Sequence, residues 1–334
     1  MGAVTQGNPK SSGGGVLIQD IDFSDSRIHA FIAEQEAQDV KPGDEFRTEL
    51  LDIVKNGIDN SGIRLPWSKT HEKIVLRPGE VSVMFGYSGH YKSTLASQMA
   101  LFAALQSKVG IMSFEMPIPV SLLRLCRMAA GTDSPATRFA NDFATWMHDR
   151  LYFYDRLDAV PPERVLGCAL HMANLGIKLI VIDCLIMVRG ITRDPEKEAK
   201  FLSTLSALSK ATGAHIMLIH HARKPGQGTE TDNEPTKFDL RGASDLGDMA
   251  STIMISHNMK DKSDLRHQVE LGQSLPPEKQ DYLDNHADHK LIVAKQRNGT
   301  FEGTFHLFHH QPSMQFTGDS RRQPMTFDIP RMGI

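Results

Sequence analysis

No apolar run in this 334-residue chain approaches the roughly 20 residues that a membrane-spanning helix requires, and the N-terminus lacks the charged-then-apolar layout of a signal peptide. A cytoplasmic protein with no membrane partner is the expectation. Cysteine is scarce. Cys126, Cys168 and Cys184 are odd in number, far apart and set in apolar stretches. Neither a disulfide framework nor a CxxC metal site can be read from them, and buried free thiols are expected. An excess of one charge is also lacking: 37 Lys and Arg stand against 40 Asp and Glu, for a net charge of −3. That excludes a uniformly basic, histone-like binder but leaves room for a local basic strip. No repeat of fixed period is present, which excludes a solenoid. What is there is 40% hydrophobic and 23% charged, the make-up of one large α/β domain with extensions.

Residues 1–23 begin with MGAVTQGNPKSSGGGV, a Gly- and Ser-rich stretch that cannot bury enough surface to offset its ordering entropy, and they are expected to form a flexible arm. Residues 24–61 carry apolar positions at helical spacing interrupted at Lys41-Pro42-Gly43. That pattern predicts two short amphipathic helices outside the main domain, a linker or subunit-contact segment. After Arg77-Pro78-Gly79 the texture changes to short β-rich runs (EVSVMFG, VGIMSFE, LYFYD, IKLIVID, AHIMLIH, STIMIS) separated by helical stretches. This is the pattern of a mainly parallel sheet flanked by helices on both faces. KLIVAKQ, TFHLFHH and SMQF then predict an antiparallel β extension, with Asn298-Gly299 as a hairpin turn. The main domain spans 62–316, leaving 317–334 as a tail. Between His221 and Leu240 there is no periodicity, and a loop of that length inside a compact domain is usually functional or mobile.

The run Val81–Phe85 followed by Gly86-Tyr87-Ser88-Gly89-His90-Tyr91-Lys92-Ser93-Thr94 and LASQMALFAALQS is strand, loop, helix, the order a phosphate-binding loop requires. Backbone N–H groups of such a loop, here Gly86, Ser88, Gly89 and Tyr91 to Thr94, wrap phosphate oxygens at a helix N-terminus. Lys92 would neutralise phosphate charge, and the Ser93 hydroxyl would hold Mg2+. Tyr91 departs from the G-x-x-x-x-G-K-[ST] pattern, because it stands where the second glycine permits close backbone approach. In IKLIVID, four apolar residues deliver Asp183 to the C-terminal end of a buried strand, the edge where ligands bind in open α/β sheets, and Asp183 would orient Mg2+. VGIMSFEMP ends in Glu115, placed to align and deprotonate an attacking water or, alternatively, to cap a helix before Pro117.

These residues resemble the RecA-like motor domain of DnaB-type hexameric replicative helicases, including the helicase half of phage primase-helicases. The match is collinear over about residues 62–316: the phosphate loop, Ser113-Phe114-Glu115-Met116-Pro117, IVID at 180–183, His220-His221-Ala222-Arg223-Lys224, Asp239–Ser244 and Ala294–Gly299. The resemblance implies a RecA-like P-loop fold, Mg2+-dependent ATP hydrolysis, and a homo-hexameric ring translocating 5′ to 3′ on single-stranded DNA. It implies Glu115 as the catalytic base and His221 as the sensor of the γ-phosphate. Lys295 and Arg297 would reach the neighbouring subunit's nucleotide. One residue apart, these two leave the same face of an extended strand, although solvated charges before a turn fit them too. His220 would face the other way and pack. No zinc site is readable from His220, His221, His309 and His310, which have neither a Cys partner nor a known ligand spacing.

The loop 222–239 and the RGAS box after it match the family's channel-facing segment. Arg223, Lys224, Lys237 and Arg241, with Gly242, would hold the backbone of the strand rather than read its bases. Phe238 is the loop's one aromatic, so stacking on bases should be minor. Glu230, Asp232 and Glu234 dilute its charge, so a solvated loop remains open, as does a structural pairing of Arg241 with Asp245 or Asp248. Neither a zinc-binding primase module nor a large N-terminal helical domain is readable. The resemblance then suggests a phage-like motor, in the host cytoplasm if phage-encoded, working with a separate primase, loader or polymerase. Two further readings stay open: a RecA-like recombination or mediator ATPase, and a nucleotide-binding interaction protein with a degenerate phosphate loop.

Overall fold

The computed structural model describes residues 25–38, 42–56, 62–191, 194–223, 234–240, 244–327 and 329. The expected arm at 1–23 lies outside them. Two helices, α1 (Asp25–Gln38) and α2 (Arg47–Asn56), fall where the interrupted periodicity predicts. Their surroundings differ. α1 buries Ile28 and Ile32 in one of the two cores of the main domain, so it is not a detached linker. α2 and the turn before it expose Phe46, Leu50, Leu51 and Val54.

A two-stranded antiparallel sheet, β1 (Ile63–Arg64) with β2 (Val75–Leu76), leads into the main sheet. The order along the chain is then β3 (Val81–Gly86), α3 (Lys92–Ala103), β4 (Val109–Ser113), α4 (Ile118–Ala130), α5 (Thr137–Trp146), β5 (Leu151–Phe153), α6 (Pro162–Asn174), β6 (Leu179–Asp183), α7 (Pro195–Thr212), β7 (His215–His221), α8 (Ser244–Met249) and β8 (Thr252–Asn258). It closes with α9 (Lys260–Glu270), α10 (Pro277–Asn285), β9 (His289–Gln296), β10 (Gly303–His310) and β11 (Gln315–Thr317). The nine strands run β11-β10-β9-β8-β3-β7-β6-β4-β5. β3 to β8 are parallel, and β9 to β11 add the antiparallel extension.

The central strands are apolar on both faces because helices cover both. Side-chain alternation sends Val83, Phe85, Ile180, Ile182, Ile216 and Leu218 into the core shared with α1, α6 and α7. Met84, Val181, Met217 and Ile219 go into the opposite core with α3, α4 and α5. Full burial of such a side chain contributes about 1.5–3 kcal/mol, which fixes each strand's register. The helices carry local signals as well. The Asp194 carboxylate caps α7 by accepting from the Lys197 amide at 3.2 Å, and Gly213 ends that helix in the left-handed conformation.

Asn298-Gly299 lies in the β9–β10 hairpin connection, which runs over 297–302, and the Asn298 side chain donates to Glu80 at 2.6 Å. Residues 318–327 also stay on the domain: Gln315 accepts from the Met325 amide at 2.9 Å, and Phe327 is buried in the core.

Candidate active site

The C-terminal ends of β3, β4, β6 and β7 meet at one edge of the sheet, the edge where α/β folds bind ligands. Four pieces of chain far apart in sequence converge there. A cleft of about 350 Å3 is lined by Ser88, Gly89, Tyr91, Lys92, Ser93, Thr94, Glu115, Asp183 and His221. Gly86 ends β3, where a Cβ would collide with the Ser256 carbonyl.

Tyr91 resolves the question its side chain raises. It adopts φ 54°, ψ 22°, the left-handed conformation, immediately before α3. That is a conformation in which glycine is at ease, and it costs another residue about 1–2 kcal/mol. Its ring lies at 5.1 Å from His309 and 5.6 Å from Phe316, with His289 at 6.4 Å. Pairs of aromatic rings at such separations contribute about 0.5–1.5 kcal/mol each. The β9–β11 extension therefore supplies a wall that offsets the strain. Beneath it, fully buried His90 accepts at Nδ1 from the Asn258 amide at 3.1 Å, and its carbonyl accepts from the Ser256 hydroxyl. Burial, with His257, Lys260 and Lys92 nearby, pushes the His90 imidazole down to about 4, so it is neutral.

Lys92 is buried and donates to the Tyr87 carbonyl at 2.8 Å, folding its ammonium into the loop. Burial lowers its pKa, while Asp183, Cys184 and Glu115 act to raise it. Asp183 feels the opposite pull. Desolvation at the strand end raises its carboxyl above the ordinary value; a hydrogen bond from Ser93 lowers it, Glu115 raises it further, and Lys92 and Arg124 lower it. A half-buried carboxylate at the cleft wall, hydrogen-bonded to a hydroxyl at a helix start, fits Mg2+: the cation would favour its charged form. Ser93 and Asp183 would hold it, and bound there it would neutralise phosphate oxygens.

Glu115 lies two residues beyond β4, held by the Phe114 amide donating to the Asp183 carbonyl at 2.9 Å. α4 starts at Ile118 after Pro117 without a side-chain cap, and the Glu115 carboxylate instead accepts from the Cys184 thiol at 3.2 Å. His221 is the last residue of β7, in register with Gly86, and its Nε2 lies 3.7 Å from Cys184 Sγ. His220 is fully buried. Sequence reasoning missed two neighbours. Cys184 reads as a buried thiol, and only the strand arrangement shows that it bridges Glu115 and His221. Arg124, on α4, shares a pocket with Ser93, Ser113 and Asp183, and no spacing rule points to it.

Lys295, in β9, and Arg297, one residue past its end, both reach α8. Lys295 Nζ donates to the Gly247 and Asp248 carbonyls at 2.7 and 3.0 Å, and Arg297 donates to the Asp248 carbonyl at 2.6 Å. In the single chain both cations thus rest on the C-terminal carbonyls of α8, a favourable place for positive charge. Lys295 also lines a cleft of about 580 Å3 with Arg223, Lys237, Phe238, Leu240, Gly247, Asp248 and Ile253. The two ends of the 222–239 loop are joined there, since the Arg223 amide donates to the Asp239 carbonyl at 2.7 Å and Ala222 pairs with Leu240. Phe238 is 78% exposed with the Lys237 ammonium 5.6 Å from its ring. Lys224, Arg241 and Gly242 lie outside the described residues.

A phosphate loop, a strand-end acid and a parallel sheet extended by antiparallel strands define a P-loop NTPase of RecA-like fold. A family model described as an AAA domain matches residues 58–227, half of the chain, and the chain belongs to that family. Among solved structures, it is similar to one described as an ATPase domain, with a TM-score of 0.65 and 14% identity over 84% of this chain and 99% of that one. It is also similar to one titled "The Structure Of A DnaB-Like Replicative Helicase And Its Interactions With Primase", with a TM-score of 0.59 and 15% identity over 87% of this chain and 76% of that one. At these identities the likeness is one of fold alone. No curated protein matches the chain. Among the described residues, no helix is long and apolar enough to cross a membrane.

Proposed function

We propose that this protein is an ATP-driven translocase on single-stranded DNA that works as a ring, in the manner of a replicative helicase moving 5′ to 3′. The observation that carries the reading is the convergence of the phosphate loop, the Ser93–Asp183 pair, Glu115 and His221 on one cleft. In this reading the loop amides and Lys92 hold the phosphates of ATP, and Glu115 takes the proton of the attacking water. His221 donates a hydrogen bond to the γ-phosphate. Lys295 and Arg297 leave α8 to complete the site of the next subunit, as trans-acting arginines do. The exposed apolar residues Leu50, Leu51 and Val54 of α2 support a ring, since they form a patch that a neighbouring subunit could cover. Arg223 and Lys237, with Lys224 and Arg241, supply the grip on the DNA backbone.

The test is the ATPase rate with and without single-stranded DNA, measured on protein whose oligomeric mass is determined in the same buffer. DNA-stimulated hydrolysis by a hexamer is the expected result. Hydrolysis indifferent to DNA, or confined to monomer, overturns the translocase reading. Open filaments with strand exchange would move the protein to the recombinases.

A further inference from the structure

We propose that Glu115, Cys184 and His221 together form a binding site for a borderline-soft divalent cation, Zn2+ foremost, and that its occupancy switches the ATPase centre off. The three side chains arrive from three strand ends: Glu115 two residues past β4, Cys184 directly after β6, and His221 closing β7. One ligand atom from each lies within 4.8 Å of the others, with Sγ 3.2 Å from Glu115 Oε1 and 3.7 Å from His221 Nε2. Zn–S bonds of about 2.3 Å and Zn–N or Zn–O bonds of about 2.0–2.2 Å, at tetrahedral angles, require ligand-to-ligand edges of about 3.3–3.7 Å. The two thiol edges lie at the ends of that range, and the Glu115–His221 edge is within 4.8 Å, so a side-chain adjustment of at most about 1.5 Å, within the reach of the exposed Glu115, closes the half-cage. Three protein ligands leave a fourth position open, and Glu115 and His221 both line the cleft, which gives the ion a route in.

The donor set discriminates between metals. A thiolate and an imidazole suit Zn2+ and disfavour Mg2+, which prefers all-oxygen ligands such as Ser93, Asp183 and phosphate. The two ions therefore sort to neighbouring but different positions. Binding breaks the Cys184 S–H bond and forms Zn–S, the proton passing to solvent. No electron is transferred. A Glu115 carboxylate that ligates zinc no longer accepts a proton from water, and a ligated His221 no longer donates to phosphate. This consequence for turnover rests on the roles proposed above for those two residues, whereas the site itself rests on geometry alone.

Co2+ is the probe that separates the two, because a thiolate-bound tetrahedral Co2+ absorbs in the near ultraviolet by charge transfer and in the visible by d–d transitions. The nucleotide-free full chain titrated with CoCl2 is expected to show both at one equivalent, with the absorption displaced by equimolar ZnCl2. The bands should persist in the double variant Cys126→Ser/Cys168→Ser, vanish in Cys184→Ser, and require more than about tenfold more Co2+ in His221→Asn. Absence of the charge-transfer band in the unmodified chain, or its survival in Cys184→Ser, overturns the site. Turnover is then measured with excess Mg2+ and buffered micromolar Zn2+. Loss of hydrolysis is expected in the unmodified chain, with at least tenfold less sensitivity in Cys184→Ser. Undiminished turnover with the site occupied overturns the switch while leaving the site established.

Discussion

Tyr91 supplies a test in which the sign of a stability difference is decisive. At an ordinary position Gly is less stable than Ala by about 0.5–1 kcal/mol, because it loses more backbone entropy on folding. At φ 54° the ranking should invert, since Ala carries the left-handed strain of about 1–2 kcal/mol and Gly does not. Both Tyr91→Ala and Tyr91→Gly lose the ring's contacts with His289, His309 and Phe316. At about 0.5–1.5 kcal/mol per pair, these sum to about 1.5–4.5 kcal/mol of destabilisation in either variant. Tyr91→Gly should recover the left-handed strain less its own entropy cost, a net of up to about 1.5 kcal/mol, so it should unfold by up to about 2 °C above Tyr91→Ala. The assay is thermal unfolding followed by circular dichroism, with urea unfolding as the isothermal check. Tyr91→Gly should also retain ATP hydrolysis, since it restores the residue of the motif. A Tyr91→Ala variant as stable as Tyr91→Gly would refute the strain argument, and a Tyr91→Gly variant as stable as the unmodified protein would refute the role of the aromatic wall.

Lys92→Ala should reduce hydrolysis to below about a tenth, because it removes the charge placed against the phosphates; steady-state turnover checks this. Glu115→Gln should retain ATP binding while turnover falls about 10²–10⁴-fold, and loss of binding instead would make the residue structural. Replacing Arg223, Lys224 and Lys237 by Ala should flatten the dependence of log K for single-stranded DNA on log salt by about 0.7 per residue; an unchanged slope removes the loop from the interface. Arg297→Ala and Lys92→Ala should each be nearly inactive alone yet regain hydrolysis in mixed rings, where some interfaces pair an intact phosphate loop with an intact arginine. Mixed rings as inactive as both parents, with activity falling in proportion when Lys92→Ala dilutes the unmodified protein, would count against action in trans.

The parallel sheet was legible because its strands are short, apolar on both faces and bounded by helical stretches, a pattern that long-range contacts reinforce. The antiparallel extension was legible from KLIVAKQ and TFHLFHH for the same reason. Asn298-Gly299 marked the β9–β10 hairpin, but not the six-residue length of its connection or the partner that Asn298 finds in Glu80. Ile28 and Ile32 were legible as a helical stripe, but periodicity shows that a face is apolar and not what covers it, so the docking of α1 on α6 and α7 was hidden. The cleft residues that sit at strand ends or in the phosphate loop could be placed because motif and strand end coincide. Cys184 and Arg124 could not, since their significance lies in contacts across 37 to 69 residues of sequence.

One strand end gives the proposed motor a short path between its two ligands. His221 closes β7 against Gly86, at the head of the phosphate loop, and the Ala222 amide donates to the Gly86 carbonyl at 3.0 Å. Ala222 then pairs with Leu240, and the Arg223 amide donates to the Asp239 carbonyl. The residue proposed to touch the γ-phosphate and the first residue proposed to touch DNA are therefore two apart on continuous backbone. A shift of His221 on phosphate release would be carried into the base of the loop through these bonds without any intervening domain. Lys295 and Arg297 contact α8 beside the same loop, so the arginine proposed to face a neighbour's nucleotide and the loop proposed to face DNA share one support. Coupling in such a ring needs an element that both ligands bias, and His221 to Arg223, bonded to Gly86 on one side and to Asp239 and Leu240 on the other, is where the two proposed ligand contacts come within two residues of each other.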